Sequence, residues 1–340
     1  MSEIRYDRLH DSHVIIAPER LHRPECHASQ KCPLHHVQKC PFCEGNEALT
    51  PPEIYAVRTS GSFANEGGWK TRVVPNLYKA VQIEAPDRHH FGLFEYHDGF
   101  GAHEVIIDTP EHRTSMVQWN EEEIVNWLKT ISQRVGDLRR DGRIAYLSLF
   151  KNEGQEAGAT QAHVHTQLIG LPIVPKAQRD YYVRAARHFQ TNGKALITSM
   201  IEHEESVGER ILGSAGDFTA FCPFASAFPF EVIIAAKKLK GQIDTLDEIQ
   251  FKVLAPLLLK TLANLEKQLG WFAFNMEIAT PPLRDDEYDL IGRTGDICRF
   301  MIRITPRIYR MGGFEVSTQM MINPVSPEQA AKLLRDGLDV

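Results

Sequence analysis

Residues 152–169 run from a two-glycine segment into a short alternating stretch, with the pattern Asn-x-Gly-x-x-x-Gly-x-Thr-x-x-His-x-His-x-Gln. If the stretch is extended, His163, His165 and Gln167 share one face, because side chains at i, i+2 and i+4 leave a strand on the same side. Val164, Leu168 and Ile169 supply the apolar anchoring of a strand seated in a sheet. Two imidazoles and a carboxamide on one face can attack, ligate a metal and donate hydrogen bonds. An isolated His-x-His more often belongs to a half-buried strand whose imidazoles bond to backbone. The glycines upstream and the cysteines farther back favour chemistry instead.

The chain has 340 residues, enough for one large domain or two modest ones with a buried core. Its net charge of −6 argues against a generic nucleic-acid binder, while leaving room for a local basic site that takes a small anion. No apolar run approaches membrane-spanning length, and the N-terminus lacks the apolar core of a signal peptide. These features predict a cytoplasmic protein with no nucleic-acid or membrane partner. Six cysteines are present, four of them between Cys26 and Cys43, and in a leaderless chain that clustering points to a metal site rather than disulfides. The turn Cys40-Pro41-Phe42-Cys43 lets both thiolates reach one tetrahedral ion, most often zinc. One such pair is half a site. Cys26, His27, Cys32, His35 and His36 are nearby competitors, read here as loop residues.

Helical spacing of Ile124, Trp127, Leu128, Ile131, Val135 and Leu138 predicts a helix from 121 to about 140, with Asn120 as N-cap. A strand over 144–150 then leads into the histidine segment. The second half repeats this order. Residues 231–234 echo 104–107, and a helix over about 247–269, which Pro256 is expected to kink or divide, echoes the first. Residues 272–278 echo 144–150, and 299–306 echo the histidine strand without its histidines. The expected fold is α/β (α+β), a duplicated unit divided near residue 175 into 1–175 and 176–340. A last helix begins at Ser326, which fits an N-cap.

The histidine segment resembles the active-site segment of the galactose-1-phosphate uridylyltransferases, the transferase branch of the histidine-triad superfamily. The resemblance extends from Arg20 to the final helix. It implies two histidine-triad-like units, each a mostly antiparallel sheet with packed helices, the first catalytic and zinc-bearing and the second degenerate. It implies that His165 is the nucleophile and that Gln167, where the hydrolase branch has a third histidine, holds a non-bridging phosphate oxygen. It completes the metal set as Cys40, Cys43, His112 and His163, with one zinc ion per chain. Arg20 and Arg23 fall near the substrate phosphates and Asn76 at the nucleotide. Asn152, Gly158 and Thr160 belong to the substrate loop, where the amides of residues 154–160 would steady developing charge. Phe314 and Glu315 match an aromatic-Glu pair at the hexose, and relatives are commonly homodimers. Val164 stands where the family most often has proline, a departure shared by the ADP-glucose phosphorylases, and Phe314 stands where tyrosine is usual. Arg299 occupies the expected position of a second metal's histidine, and no second Cys-x-x-Cys exists, so no second metal is expected.

Three readings follow. The first is a UDP-glucose:hexose-1-phosphate uridylyltransferase, with a nucleotidyl-histidine intermediate and ping-pong exchange. The second keeps this chemistry with ADP-glucose and inorganic phosphate, or with a dinucleoside polyphosphate. The third is a zinc-stabilised nucleotide-binding protein without turnover.

Overall fold

The computed structural model describes residues 2–22, 39–284 and 294–336. Arg23, Cys26, His27, Cys32, His35 and His36 lie outside the described residues. The chain opens with a hairpin of β1 (Glu3–Asp7) and β2 (Ser12–Ile16), then a 3-10 turn over Pro18–His22. β3 (Tyr55–Arg58) and β4 (Trp69–Pro75) follow, then a small hairpin of β5 (His89–His90) and β6 (Tyr96–His97), and then β7 (Ala102–Ile107).

Helix α1 (Glu121–Leu138) buries the predicted apolar stripe and ends two residues before the expected limit. Its start is closed reciprocally: Glu123 N donates to Asn120 Oδ1 at 3.0 Å, and Asn120 N donates to Glu123 Oε2 at 2.8 Å. Two of the N–H groups at the helix start are thereby satisfied. β8 (Tyr146–Glu153) and β9 (His165–Leu171) complete the first half. The second half contains α2 (Lys176–Asn192), α3 (Leu196–Val207), β10 (Ile211–Ala215), β11 (Phe218–Phe221) and β12 (Val232–Lys240). Next come α4 (Glu248–Leu269), β13 (Phe274–Ile278), α5 (Thr294–Ile297) and β14 (Arg299–Pro306). Last are α6 (Gly313–Thr318), β15 (Met321–Asn323) and α7 (Pro327–Asp336). β15 adds to β2 in parallel, tying the end of the chain to its beginning. Pro256 does not divide α4, which is one continuous helix. Burial of Phe251, Leu254, Leu258, Leu262 and Leu265 along it outweighs the one hydrogen bond that a proline removes.

Ten strands form one antiparallel sheet in the order β10-β11-β12-β14-β13-β8-β9-β7-β4-β3. Outward from the central β8–β13 pair, both halves run in the same sequence: fourth strand, fifth, third, second, first. The repeat expected from the sequence is thus a repeat of sheet topology.

The two faces of the sheet differ. On one, Ile106, Leu149, Leu168, Met276, Ile302 and Ile304 pack under α1 and α4 in the main core. On the other, α3 covers the second half through Ile197 and Ile201 against Phe221 and Ile233. The first half is covered there by Phe42, packed on Trp69, Val74, Val105 and Ile107. His165 and Gln167 alternate with the core residues Thr166 and Leu168, so they stand on this second face.

Candidate active site and metal centre

β9 lies between β7 and β8, with His165 opposite Ile107 and Gln167 opposite both Val105 and Phe150. The strand begins at His165, so His163 is not the first member of an extended i, i+2, i+4 set as the sequence suggested. The ladder stops where β7 ends, and Val164 N instead donates to the Arg113 carbonyl at 2.9 Å. Released from the ladder, His163 turns toward the Cys40–Cys43 turn. The two histidines therefore serve different sites.

His165 is 6% exposed, and its Nδ1 lies 2.9 Å from the His163 carbonyl oxygen. A carbonyl only accepts, so the proton of the neutral ring sits on Nδ1 and Nε2 carries the lone pair. Burial, the largest influence, depresses His165 below its ordinary value and keeps the ring neutral. The Phe42 ring meets the His165 ring edge-on, with centroids 5.4 Å apart. The backbone bond expected of an ordinary structural histidine is present, and it leaves Nε2 as the unprotonated nitrogen.

From the helix side, β9 is held by buried polar groups. Trp127 Nε1 donates to Thr166 Oγ1 at 2.9 Å. Lys151 Nζ donates to Asp108 Oδ2 at 2.7 Å and reaches the His165 carbonyl at 3.4 Å. The Lys151–Asp108 pair is buried on both sides and lies behind His165, on the opposite face of the sheet from its imidazole.

Cys40, Cys43, His112 and His163 bring one ligand atom each within 4.8 Å of one another. His163 Nε2 bonds to the Thr109 carbonyl at 2.9 Å, leaving Nδ1 3.5 Å from Cys40 Sγ and 3.6 Å from Cys43 Sγ. His112 Nδ1 is 3.4 Å from Cys43 Sγ. Sulfur and nitrogen around a tetrahedral zinc ion lie about 3.5 Å apart, given the usual bond lengths. The donor set fits such an ion. Burial, then the neighbouring Cys40, pushes the Cys43 thiol up to about 11, the direction expected where two thiols stand close together. Two adjacent thiolates in a shielded pocket repel unless a cation lies between them. Burial holds His163 down to about 4, keeping it in the neutral form that ligates metals.

The glycine loop is built for its place. Gly154 and Gly158 have φ of 85° and 89°. A Cβ on Gly154 would also come within 2.6 Å of the Ala273 Cβ. Three of the loop amides, for which the resemblance implies a part in steadying charge, are engaged within the turn. Those of Ala157 and Ala159 donate to the Gly154 carbonyl and that of Gly158 to the Gln155 carbonyl, so their protons are spent on the turn. Asn152 Oδ1 accepts from Asn275 Nδ2, which also donates to the Ala157 carbonyl, both at 2.8 Å. The second half of the chain thus buttresses the loop of the first. Thr160 is exposed.

Asn76 follows β4 and makes its turn by accepting the Tyr78 amide at 2.8 Å, while its Nδ2 lies 3.0 Å from His103 Nε2. The same nitrogen is 3.1 Å from Gln167 Oε1, so Asn76 and Gln167 meet at one imidazole. Arg20 sits in the 3-10 turn after β2. Phe314 is half exposed on α6, and buried Glu315 accepts the Gly312 amide at 2.8 Å, capping its own helix. No hydrogen bond joins Glu315 to the His165 cluster among the described residues. Arg299 spends its guanidinium on Thr198 and on nearby carbonyls, including Lys237 and Cys298. Sequence reasoning missed His103, Asp108 and Lys151. Of these only His103 left a trace, since it alternates with Val105 and Ile107 on the same strand face.

A family model described as galactose-1-phosphate uridyl transferase, N-terminal domain, matches residues 1–175. The ADP-glucose phosphorylase of Arabidopsis thaliana is 30% identical over 98% of this chain and 92% of its own length. The galactose-1-phosphate uridylyltransferase of Thermotoga maritima is 25% identical over 99% of this chain and 98% of its own. A crystal structure of the Arabidopsis ADP-glucose phosphorylase with bound ADP-glucose superposes with a TM-score of 0.81 and 28% identity, covering 99% of both chains.

Proposed function

This chain belongs to the galactose-1-phosphate uridyl transferase family of nucleotidyltransferases, and from that premise we propose that it carries a nucleotidyl group on His165. The single observation that carries this reading is the fixed tautomer of His165, whose Nδ1 is committed to the His163 carbonyl at 2.9 Å. The Nε2 lone pair attacks the α-phosphorus of a nucleoside diphosphate glucose. A P–N bond forms, the bond from that phosphorus to the bridging oxygen breaks, and glucose 1-phosphate leaves with that oxygen. No proton has to move, because Nε2 carries none. A phosphate oxygen of the acceptor then attacks the same phosphorus and the P–N bond breaks, restoring neutral His165. Gln167 donates to a non-bridging oxygen as charge builds there. Because an amide has no acid–base capacity, it gives water no help toward the intermediate. Arg20, Arg23, Asn76, Asn152, Gly158, Thr160, Phe314 and Glu315 are the proposed substrate-binding residues.

The donor in the first reading is UDP-glucose and the acceptor a hexose 1-phosphate, supported by the family match and the Thermotoga relative. A specific observation favours a second donor, ADP-glucose with inorganic phosphate as acceptor: the Arabidopsis phosphorylase is 30% identical, against 25% for the Thermotoga uridylyltransferase. Zinc is the proposed occupant of the Cys40, Cys43, His112 and His163 set. With all four positions filled by protein, its part is to hold these residues in place. A cytoplasmic homodimer is the proposed assembly.

Incubation with UDP-glucose or ADP-glucose labelled in the nucleotide tests both points. One donor should label the protein through an acid-labile, base-stable bond and release an equivalent burst of glucose 1-phosphate. His165→Gly should abolish the label without loss of fold. Full labelling of that variant would remove His165 from the mechanism, and the donor that labels wild type decides the base.

A further inference from the structure

We propose that His103 is a positioning residue that sets which end of the Gln167 carboxamide faces the substrate. The inference rests on the reading that Gln167 serves a phosphate oxygen, and it adds a residue that neither the motif nor the metal set contains.

His103 stands on β7 opposite Ile169, one diagonal step from Gln167 on the same sheet face. Its ring is held from both ends. The Ala80 backbone nitrogen lies 3.0 Å from His103 Nδ1. A backbone N–H can only donate, so Nδ1 accepts and the proton of the neutral ring sits on Nε2. Nε2 has two neighbours, Gln167 Oε1 at 3.1 Å and Asn76 Nδ2 at 3.0 Å. The orientation of Asn76 is fixed independently, because the Tyr78 amide donates to its Oδ1 at 2.8 Å. Of the two neighbours, only Gln167 offers the Nε2 proton an oxygen. That bond occupies the carbonyl end of Gln167 and leaves its NH2 end for a ligand. Turned over about its last bond, Gln167 would meet a phosphate with an oxygen and repel it. The backbone of His103 is anchored as well, since its carbonyl accepts the Asn76 amide at 2.8 Å. The loop after β4, through Ala80 and Tyr78, therefore dictates the orientation of Gln167 by way of one imidazole.

The test is the single-turnover rate of covalent labelling by UDP-glucose and by ADP-glucose in wild type and in four variants. These are His103→Leu, His103→Gln, Gln167→Ala, and His103→Leu combined with Gln167→Ala. His103→Leu removes the donor and should slow labelling about five- to tenfold, the bias that one neutral hydrogen bond can supply. His103→Gln returns an N–H within reach of the same oxygen and should recover most of that loss. In the Gln167→Ala background, His103→Leu should cost nothing further, because the residue it orients is gone. An equal slowing in both backgrounds would mean that His103 merely supports the strand, and would overturn the inference. An unchanged rate in His103→Leu would overturn it too. If wild type is labelled by neither donor, the covalent mechanism itself fails; a labelled wild type with additive variants overturns only the role of His103.

Discussion

At the scale of single residues, each histidine of the motif is committed to a backbone carbonyl through one ring nitrogen. The His163 carbonyl takes the Nδ1 proton of His165, and the Thr109 carbonyl takes the Nε2 proton of His163. One histidine therefore keeps Nε2 unprotonated and the other turns Nδ1 toward the Cys40–Cys43 pair. Behind the site, Asp108 Oδ1 and Glu153 Oε1 are both buried without a hydrogen-bond partner among the described residues. Glu153 is 4% exposed, accepts the Met116 amide at 2.9 Å through Oε2, and leaves Oε1 buried without a partner. Burial pushes its carboxyl up from the ordinary 4.5 to about 7. Between those values the folded chain holds a proton that the unfolded chain has lost, so this group's contribution to stability falls as pH rises through the window. Glu153→Gln keeps an acceptor for Met116 and removes the charge. It should be more stable than wild type by up to roughly 3 kcal/mol at pH 8, with a much smaller gain at pH 5, read as a melting-temperature difference that grows with pH. Equal effects at both pH values would show that Glu153 is ionised in the folded chain throughout.

Between elements, the metal position joins three segments that the sheet alone leaves loose. These are the Cys40–Cys43 turn, the chain after β7 at His112, and the approach to β9 at His163. Phe42 rides on the first of them and packs on the Val105 cluster and the His165 ring, so loosening the turn should loosen the surroundings of His165. Cys40→Ser with Cys43→Ser should abolish binding of the proposed zinc, lower the melting temperature and slow covalent labelling together. His165→Gly should keep its zinc. Undiminished zinc in the double-serine variant would assign the ion to Cys26 and Cys32 instead.

Across the whole molecule, the central strand pair makes one unit of two halves. β8 and β13 are hydrogen-bonded neighbours in the continuous sheet, and Asn275 of the second half holds both Asn152 and the glycine loop of the first. We propose that 1–175 and 176–340 are two copies of one α/β unit fused through this pair. Residues 1–175 expressed alone would bare the edge of β8 and the apolar surface that α4 covers. That fragment should aggregate, and the full chain should unfold in a single calorimetric transition. Two resolved transitions, or a soluble folded fragment, would show that the halves are independent.

The sequence by itself determined the strongly patterned elements and the motif residues, because both depend on local spacing, while α2 and α3 went unpredicted. The apolar stripe of α1, the Asn120 cap, the duplicated strand order and the Cys-x-x-Cys turn were all legible from near neighbours in the chain. The fit of Cys40 and Cys43 to His112 and His163 followed from the family resemblance, and the structure brings those four together. The partner of each donor and acceptor was decided only by the tertiary structure. The strand starts at His165 rather than His163 because β7 ends there, a fact about a neighbouring strand that no periodicity in residues 152–169 records. The amides of residues 157–159 turn inward in a loop where Gly154 and Gly158 adopt positive φ, which glycine permits but does not compel. Lys151 meets Asp108, and His103 meets Gln167, across 43 and 64 residues of chain. A hydrogen bond reads position in space, and residues so far apart in sequence come within reach only once the sheet has set its register.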